Sequence, residues 1–167
     1  GKIAMYAGLA GGADVILIPE IPYAIQRVCD KVRRRQAAGR FFSIVVVAEG
    51  AHPKDGQKSF LEAKVQGGMP RLGGAGAQAA AEISKLTGLE TRVTVLGHLL
   101  RGGRPSAYDR ILATRYGAAA IDLVAENKWG HMAALQGGGI GSVPITDVIA
   151  GTTGVEPDGE MVNVARS

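Results

Sequence analysis

One cysteine, one tryptophan and three phenylalanines stand in 167 residues. The lone Cys29 excludes a disulfide scaffold and a cysteine-ligated metal cluster. It fits a reducing compartment, so the cytoplasm is the expected location. Aromatic residues make up 5% of the chain, too few for a nucleic-acid surface built on stacking. No apolar run approaches the ~18 residues that a membrane span needs, and no signal-peptide pattern opens the sequence. Nucleic acid and membrane are therefore not expected partners. There is no G-x-x-x-x-G-K-[ST] loop to cradle a nucleotide, and no serine stands in a G-x-S-x-G elbow.

What remains is ordinary globular material. Hydrophobic residues are 46% and charged residues 20%, which excludes a disordered chain. A chain near 150 residues buries roughly 70% of its unfolded surface, enough for a real core. Nineteen basic residues stand against fifteen acidic ones. That mild excess permits an anionic partner without specifying one. The densest run, Lys31-Val32-Arg33-Arg34-Arg35, reads as the solvated face of a helix, with a phosphate patch as the other reading.

Short branched runs alternate with helical stretches. Asp14 to Ile18 reads as a buried strand stopped by Pro19. Pro22 to Ala38 reads as a helix with Ile25, Val28 and Val32 on one stripe and Gly39 at its end. Ser43 to Ala48 is continuously apolar, like a parallel strand covered on both faces. Residues 51–73 are polar and rich in glycine and lysine, and read as a long loop. Ala75 to Thr87 predicts a helix closed by Gly88, and Thr91 to Leu96 a further strand. Ser106 to Asn127 predicts a long helix. Ser106 and Asp109 would form its capping box, and Ile111, Leu112, Ala119, Ala120, Leu123 and Val124 its buried stripe. Met132 to Leu135 reads as a last short strand. The expected fold is α/β, a three-layer, Rossmann-like domain with a mostly parallel sheet over residues 1–150, followed by a peripheral tail over 151–167. Gly1 to Ala10 reads as the tail of a helix, so the chain is expected to be a piece of a larger protein.

Ligands of such sheets sit beyond the carboxyl ends of the strands. That places Glu49 and the Gly97–Arg104 segment at the candidate site. Glu49 ends an apolar strand, where a desolvated carboxylate needs partners. It reads either as a hydrogen-bonded structural acid or as an acceptor for substrate hydroxyls. His98, Arg101 and Arg104 lie in a glycine-rich turn before a capped helix. They read either as an anion site or as exposed charges on a connecting loop. His52, His98 and His131 lack metal-ligand spacing, and no metal site is expected in this segment. His52 and His131 read as surface histidines and Cys29 as inert core. Gly74-Ala75-Gly76-Ala77-Gln78-Ala79 matches a loose dinucleotide fingerprint, but no strand precedes it, so it reads as a helix start.

Several segments in order carry a resemblance. They are Gly11-Gly12-Ala13-Asp14, Ile18-Pro19-Glu20 and Val47-Ala48-Glu49-Gly50. Next come Glu90-Thr91-Arg92, Val95-Leu96-Gly97-His98, Arg101-Gly102-Gly103 and Pro105. Tyr108-Asp109-Arg110, Leu112-Ala113 and Arg115 close the series. Over roughly residues 3–140 the chain resembles the C-terminal, substrate-binding domain of the 6-phosphofructokinase family. Its 51–73 segment and Ile-Pro-Glu-Ile-Pro-Tyr run look like the mixed-substrate subgroup of ATP and pyrophosphate enzymes. The resemblance implies a fragment of a two-domain phosphofructokinase fold. It implies phosphorylation of the 1-hydroxyl of fructose 6-phosphate to fructose 1,6-bisphosphate in glycolysis.

By the same resemblance, Glu49 binds sugar hydroxyls, and His98 and Arg101 hold the substrate. Arg92 reaches the 6-phosphate bound by a neighbouring subunit, in a homodimer or homotetramer with shared sites. Mg2+ with ATP or pyrophosphate, and the catalytic base, belong to the family's N-terminal domain. No catalytic residue is expected in this segment, which alone would be inactive. Leu100 stands for a usual glutamine and Arg104 for a usual small residue. Asp14 and Arg40 keep the character of the family's effector-site residues, and Ala38 does not. Two other readings stand beside this one: a non-catalytic sugar-phosphate-binding module derived from the family, and a basic nucleic-acid-binding domain.

Overall fold

The fold comes from a computed structural model that describes residues 1–54, 56, 74–151 and 154–167, with His98 described by its backbone alone. The expected loop over 51–73 lies mostly outside the described residues. Val15–Leu17 (β1) and Val45–Val47 (β2) pair in parallel, with Val15 opposite Val45, Ile16 opposite Val46 and Leu17 opposite Val47. Both strands fall inside the runs predicted from their branched side chains. Successive side chains in a strand point to opposite faces, so each strand feeds two cores. Val15, Leu17, Val45 and Val47 pack toward Val28, Cys29, Ala79 and Ile83. Ile16 and Val46 pack toward Ala4, Met5, Ile18 and Val162.

Helices supply the two outer layers. Lys2–Ala10 (α1) brings Ala4 and Met5 to one face of the pair. Ile25–Ala37 (α2) brings Val28, Cys29 and Val32, the predicted stripe with Cys29 added, and Gly39 follows it at φ 77°. Ala75–Thr87 (α3) matches the predicted helix and ends at Gly88, φ 74°. That left-handed backbone is where glycine is favoured. Glu160–Arg166 (α6) brings Val162 into the core at 3% exposure.

The chain divides into two units, residues 1–95 with 154–167, and residues 96–153. This differs from the expected single domain over 1–150 with a peripheral tail. The tail belongs to the first unit because it buries Val162 and because the Val155 N–H donates to Glu20 Oε1 at 3.0 Å. Burial raises the Glu20 pKa, while the hydrogen bonds it accepts from the Val155 N–H and its own backbone N–H lower it.

In the second unit, Ala107–Ala125 (α4) lies against a hairpin of His131–Gln136 (β3) and Gly139–Pro144 (β4), with Ile145–Ala150 (α5) after it. The hairpin is antiparallel and turns at Gly137 and Gly138, φ 56° and 92°. Two left-handed residues are what a tight hairpin turn requires. The expected α/β arrangement with a parallel sheet between helices is present in the β1–β2 pair; of the hairpin only the first strand was expected, and it adds an antiparallel pair. The predicted strand over Thr91–Leu96 is irregular. A strand forms only against a partner, and Val93 and Val95 instead lie exposed. The predicted buried stripe of α4 also differs. Leu112, Tyr116, Ala119 and Leu123 are half-buried, while Ile111, Ala120 and Val124 are exposed, because within this unit only one face of the helix meets the hairpin.

At Gly8 α1 passes close to Ile16 of β1. A Cβ there would stand 2.6 Å from Ile16 Cδ1 and 2.7 Å from its Cγ1. Alanine gains ~1 kcal/mol over glycine inside a helix, but overpacking a core costs ~1–3 kcal/mol. Gly8→Ala is therefore expected to destabilise the protein. Urea unfolding should show a lower midpoint at unchanged slope; a raised midpoint would mean that α1 can shift away from the sheet.

Candidate functional site

Glu49 follows β2 at the carboxyl end of the parallel pair, as expected. Its environment is not the expected one. The chain turns immediately after the strand, with the Ala51 N–H donating to the Ala48 carbonyl at 2.9 Å. That turn buries Ala51 at 1% exposure and leaves Glu49 exposed. Its carboxylate makes no hydrogen bond or ion pair among the described residues. A desolvation cost that would demand internal partners is thus absent, and the carboxylate is open to an outside donor.

Arg92 lies in the irregular stretch after α3. Two bonds at α3 hold the start of that stretch: Leu89 N–H to Thr87 Oγ1 at 3.2 Å, and Thr91 Oγ1 to the Ala80 carbonyl at 3.3 Å. Arg92 Nε donates to Glu90 Oε1 at 3.0 Å, with the two side chains 88% and 76% exposed. An exposed pair contributes ~0–1 kcal/mol. The guanidinium can leave it for a stronger anion at little cost.

The second unit carries the glycine-rich turn. Gly97–Arg101 forms a short 3-10 helix that contains His98 and ends at Arg101. Gly102 is extended, Gly103 has φ 96°, and Arg101 and Arg104 are both exposed. The capping box predicted for α4 is present. Asp109 N–H donates to Ser106 Oγ at 3.2 Å, and Ser106 N–H and Oγ both donate to Asp109 Oδ2 at 2.8 Å. These bonds from the Ser106 side chain and backbone hold the Asp109 carboxyl below the usual range. An acid already occupies the start of α4. The positive charge of this turn therefore comes from its guanidinium groups rather than from a free helix end.

Glu49 and Arg92 belong to the first unit, His98 and Arg101 to the second. Sequence reasoning left the partners of Asp14 open. Arg35 Nη1 donates to its Oδ1 at 2.9 Å, and the Ile44 N–H donates to its Oδ2 at 2.8 Å. This acid joins α2 to the start of β2. Thirty residues separate it from Ile44, so no local pattern could reveal the bond. Cys29 is 1% exposed and burial pushes its thiol up, in keeping with inert core. His131 is exposed and His52 half-buried. Among the described residues no three His, Cys, Asp or Glu side chains come together as a metal site, and none of their helices is long and apolar enough to cross a membrane.

Ser106→Ala should loosen the first turn of α4 by about 1 kcal/mol, the usual loss of a serine cap. Because the folded pKa of Asp109 is depressed, its contribution is present above the unfolded carboxyl value and lost as pH falls through the lower folded one. In Ser106→Ala, an NMR titration should find the Asp109 midpoint moved upward. An unmoved midpoint would mean that another group holds the carboxylate.

The Phosphofructokinase family profile matches residues 1–124. An ATP-dependent 6-phosphofructokinase of Chloroflexus aggregans is 51% identical over 167 residues, all of this chain and 45% of the relative. A pyrophosphate–fructose 6-phosphate 1-phosphotransferase of Streptomyces coelicolor is 48% identical over 158 residues, 94% of this chain and 46% of the relative. The phosphofructokinase structure from Saccharomyces cerevisiae superimposes with a TM-score of 0.69 at 32% identity, over 90% of this chain and 19% of that one. The chain thus spans about 45% of the length of the curated relatives that it matches.

Proposed function

The chain belongs to the phosphofructokinase family, and from that premise we propose that it is the sugar-phosphate-gripping part of a 6-phosphofructokinase. The reaction moves a phosphoryl group from ATP or pyrophosphate to O1 of fructose 6-phosphate. The new bond joins O1 to phosphorus, the bond from that phosphorus to the bridging oxygen of the donor breaks, and the O1 proton leaves to a base outside this segment. The observation that carries this reading is whole-chain identity near 50% to enzymes named for the reaction. The names of ATP and pyrophosphate relatives share the same sugar-phosphate acceptor and differ in donor, which supports an acceptor role for this segment.

In this reading the segment positions rather than reacts. Phosphoryl transfer depends mainly on alignment and charge stabilisation. Glu49, exposed at a strand end, accepts hydrogen bonds from sugar hydroxyls. Arg101 and His98 hold the substrate from the glycine turn. Arg92, only weakly tied to Glu90, swings to a phosphate bound by a neighbouring subunit of a homodimer or homotetramer. Charge-assisted bonds of this kind are about twice as strong as neutral ones. Mg2+ and the phosphoryl donor would be held outside this segment in this reading. The segment alone is inactive in this reading, and the full enzyme works in the cytoplasm.

The test uses the full-length protein. Losing one charged partner of a desolvated anion costs on the order of 1.5–3 kcal/mol, roughly 10- to 150-fold in affinity. Arg101→Ala should raise the half-saturating fructose 6-phosphate concentration by that factor and leave the donor constant unchanged. Glu49→Gln should weaken the same constant with stability intact. Mixing Arg92→Ala subunits with Arg101→Ala subunits should restore tight binding at some sites. If fructose 6-phosphate binds without turnover, the non-catalytic reading replaces this one; if mixed oligomers recover nothing, Arg92 does not act across subunits.

A further inference from the structure

We propose that Arg104 is a further cation for the substrate phosphate, acting beside Arg101 from the same glycine turn. This rests on the reading of that turn as the sugar-phosphate grip. The two arginines flank Gly102 and Gly103, so their Cα atoms stand no more than about 11 Å apart. Both are exposed, and neither makes a hydrogen bond or ion pair among the described residues.

The acid nearest in the chain makes no ion pair with them among the described residues. Asp109 turns its Oδ2 onto the Ser106 N–H and hydroxyl. The other cations of this unit include two that are already engaged: Arg115 donates to the Gly138 carbonyl at 2.9 Å, and Lys128 pairs with Glu126 at 2.7 Å. Two unpaired guanidinium groups on one short turn can both reach a single dianion. In the reading above Arg101 shares the substrate with His98 and with a neighbouring subunit's Arg92; Arg104 adds a further planar fork of donors from the same turn.

The backbone favours this use of Arg104. Pro105 follows it, and a residue before proline is confined to the extended region. Less chain freedom is therefore lost when Arg104 binds than a glycine turn would otherwise cost. The start of α4 is already filled by Asp109, so a phosphate in this turn must rely on side-chain cations.

The experiment is steady-state kinetics of the full-length enzyme, with fructose 6-phosphate varied at saturating donor and the donor varied at saturating sugar phosphate. Arg104→Ala should raise the half-saturating fructose 6-phosphate concentration about two- to fivefold, the effect of an exposed charge pair. Turnover and the donor constant should not change. Arg104→Lys should restore most of the loss, and the gap between parent and variant should shrink as salt rises. If Arg104→Ala fails to fold, Arg104→Gln against Arg104→Lys makes the same comparison. An unchanged fructose 6-phosphate constant at low salt overturns the proposal, as does a change confined to the donor constant. Arg101→Ala measured alongside separates the two levels. If Arg101→Ala is impaired and Arg104→Ala is not, the grip stands without Arg104; if neither is impaired, the turn is not the grip.

Discussion

A three-residue parallel pair organises the first unit. In β1 and β2 the side chains alternate, so Val15, Leu17, Val45 and Val47 face α2 and α3 while Ile16 and Val46 face α1 and α6. Each layer depends on that alternation, since a slip of one residue would send every branched side chain to the wrong core. The Asp14 carboxylate, bonded to Arg35 and to the Ile44 N–H, ties α2 and the start of β2 to the entrance of β1. At the other end of the pair, the Ala48 N–H donates to the Leu17 carbonyl at 2.8 Å. The position of Glu49 follows directly from this register.

The charges divide by how they are held. Asp14 and Glu20 are largely buried and each accepts backbone N–H bonds, so they serve the architecture. Glu49, Arg92, Arg101 and Arg104 are exposed and are weakly paired or unpaired among the described residues. In the reading proposed above, that leaves the second set available to a ligand. A carboxylate or guanidinium saturated by internal partners would have to break those bonds before binding anything else.

The two units also differ in how completely they bury their apolar residues. Among the described residues the first holds thirteen buried hydrophobic residues, with both faces of its strand pair covered. In the second unit no residue of α4 or α5 is buried, and Tyr108, Ile111, Ile121 and Trp129 are more than half exposed. A two-stranded hairpin and a long helix make a small core, because a minor share of their surface can meet. The chain spans under half of its curated relatives, and the family fold is correspondingly larger than these two units.

Much of the local structure was legible in the sequence. The ends of α3, the capping box of α4, Gly39 after α2 and the cores of β1 and β2 all follow from residues within four positions of one another or from short branched runs. The glycine turn with Arg101 and Arg104 was legible for the same reason, and the ordered segments around Glu49 and Arg92 carried the family resemblance. What the sequence left open depended on partners distant in the chain. Thr91–Leu96 has strand-forming residues but no strand beside it. Glu49 ends an apolar run but is lifted out by the turn that buries Ala51. The Ile111 to Val124 stripe has the period of a buried face, yet within its unit a hairpin covers only one side of the helix. Caps, turns and periodicity are local interactions, so the sequence by itself determines them. Burial and strand pairing exist only between segments, so tertiary structure alone decided those.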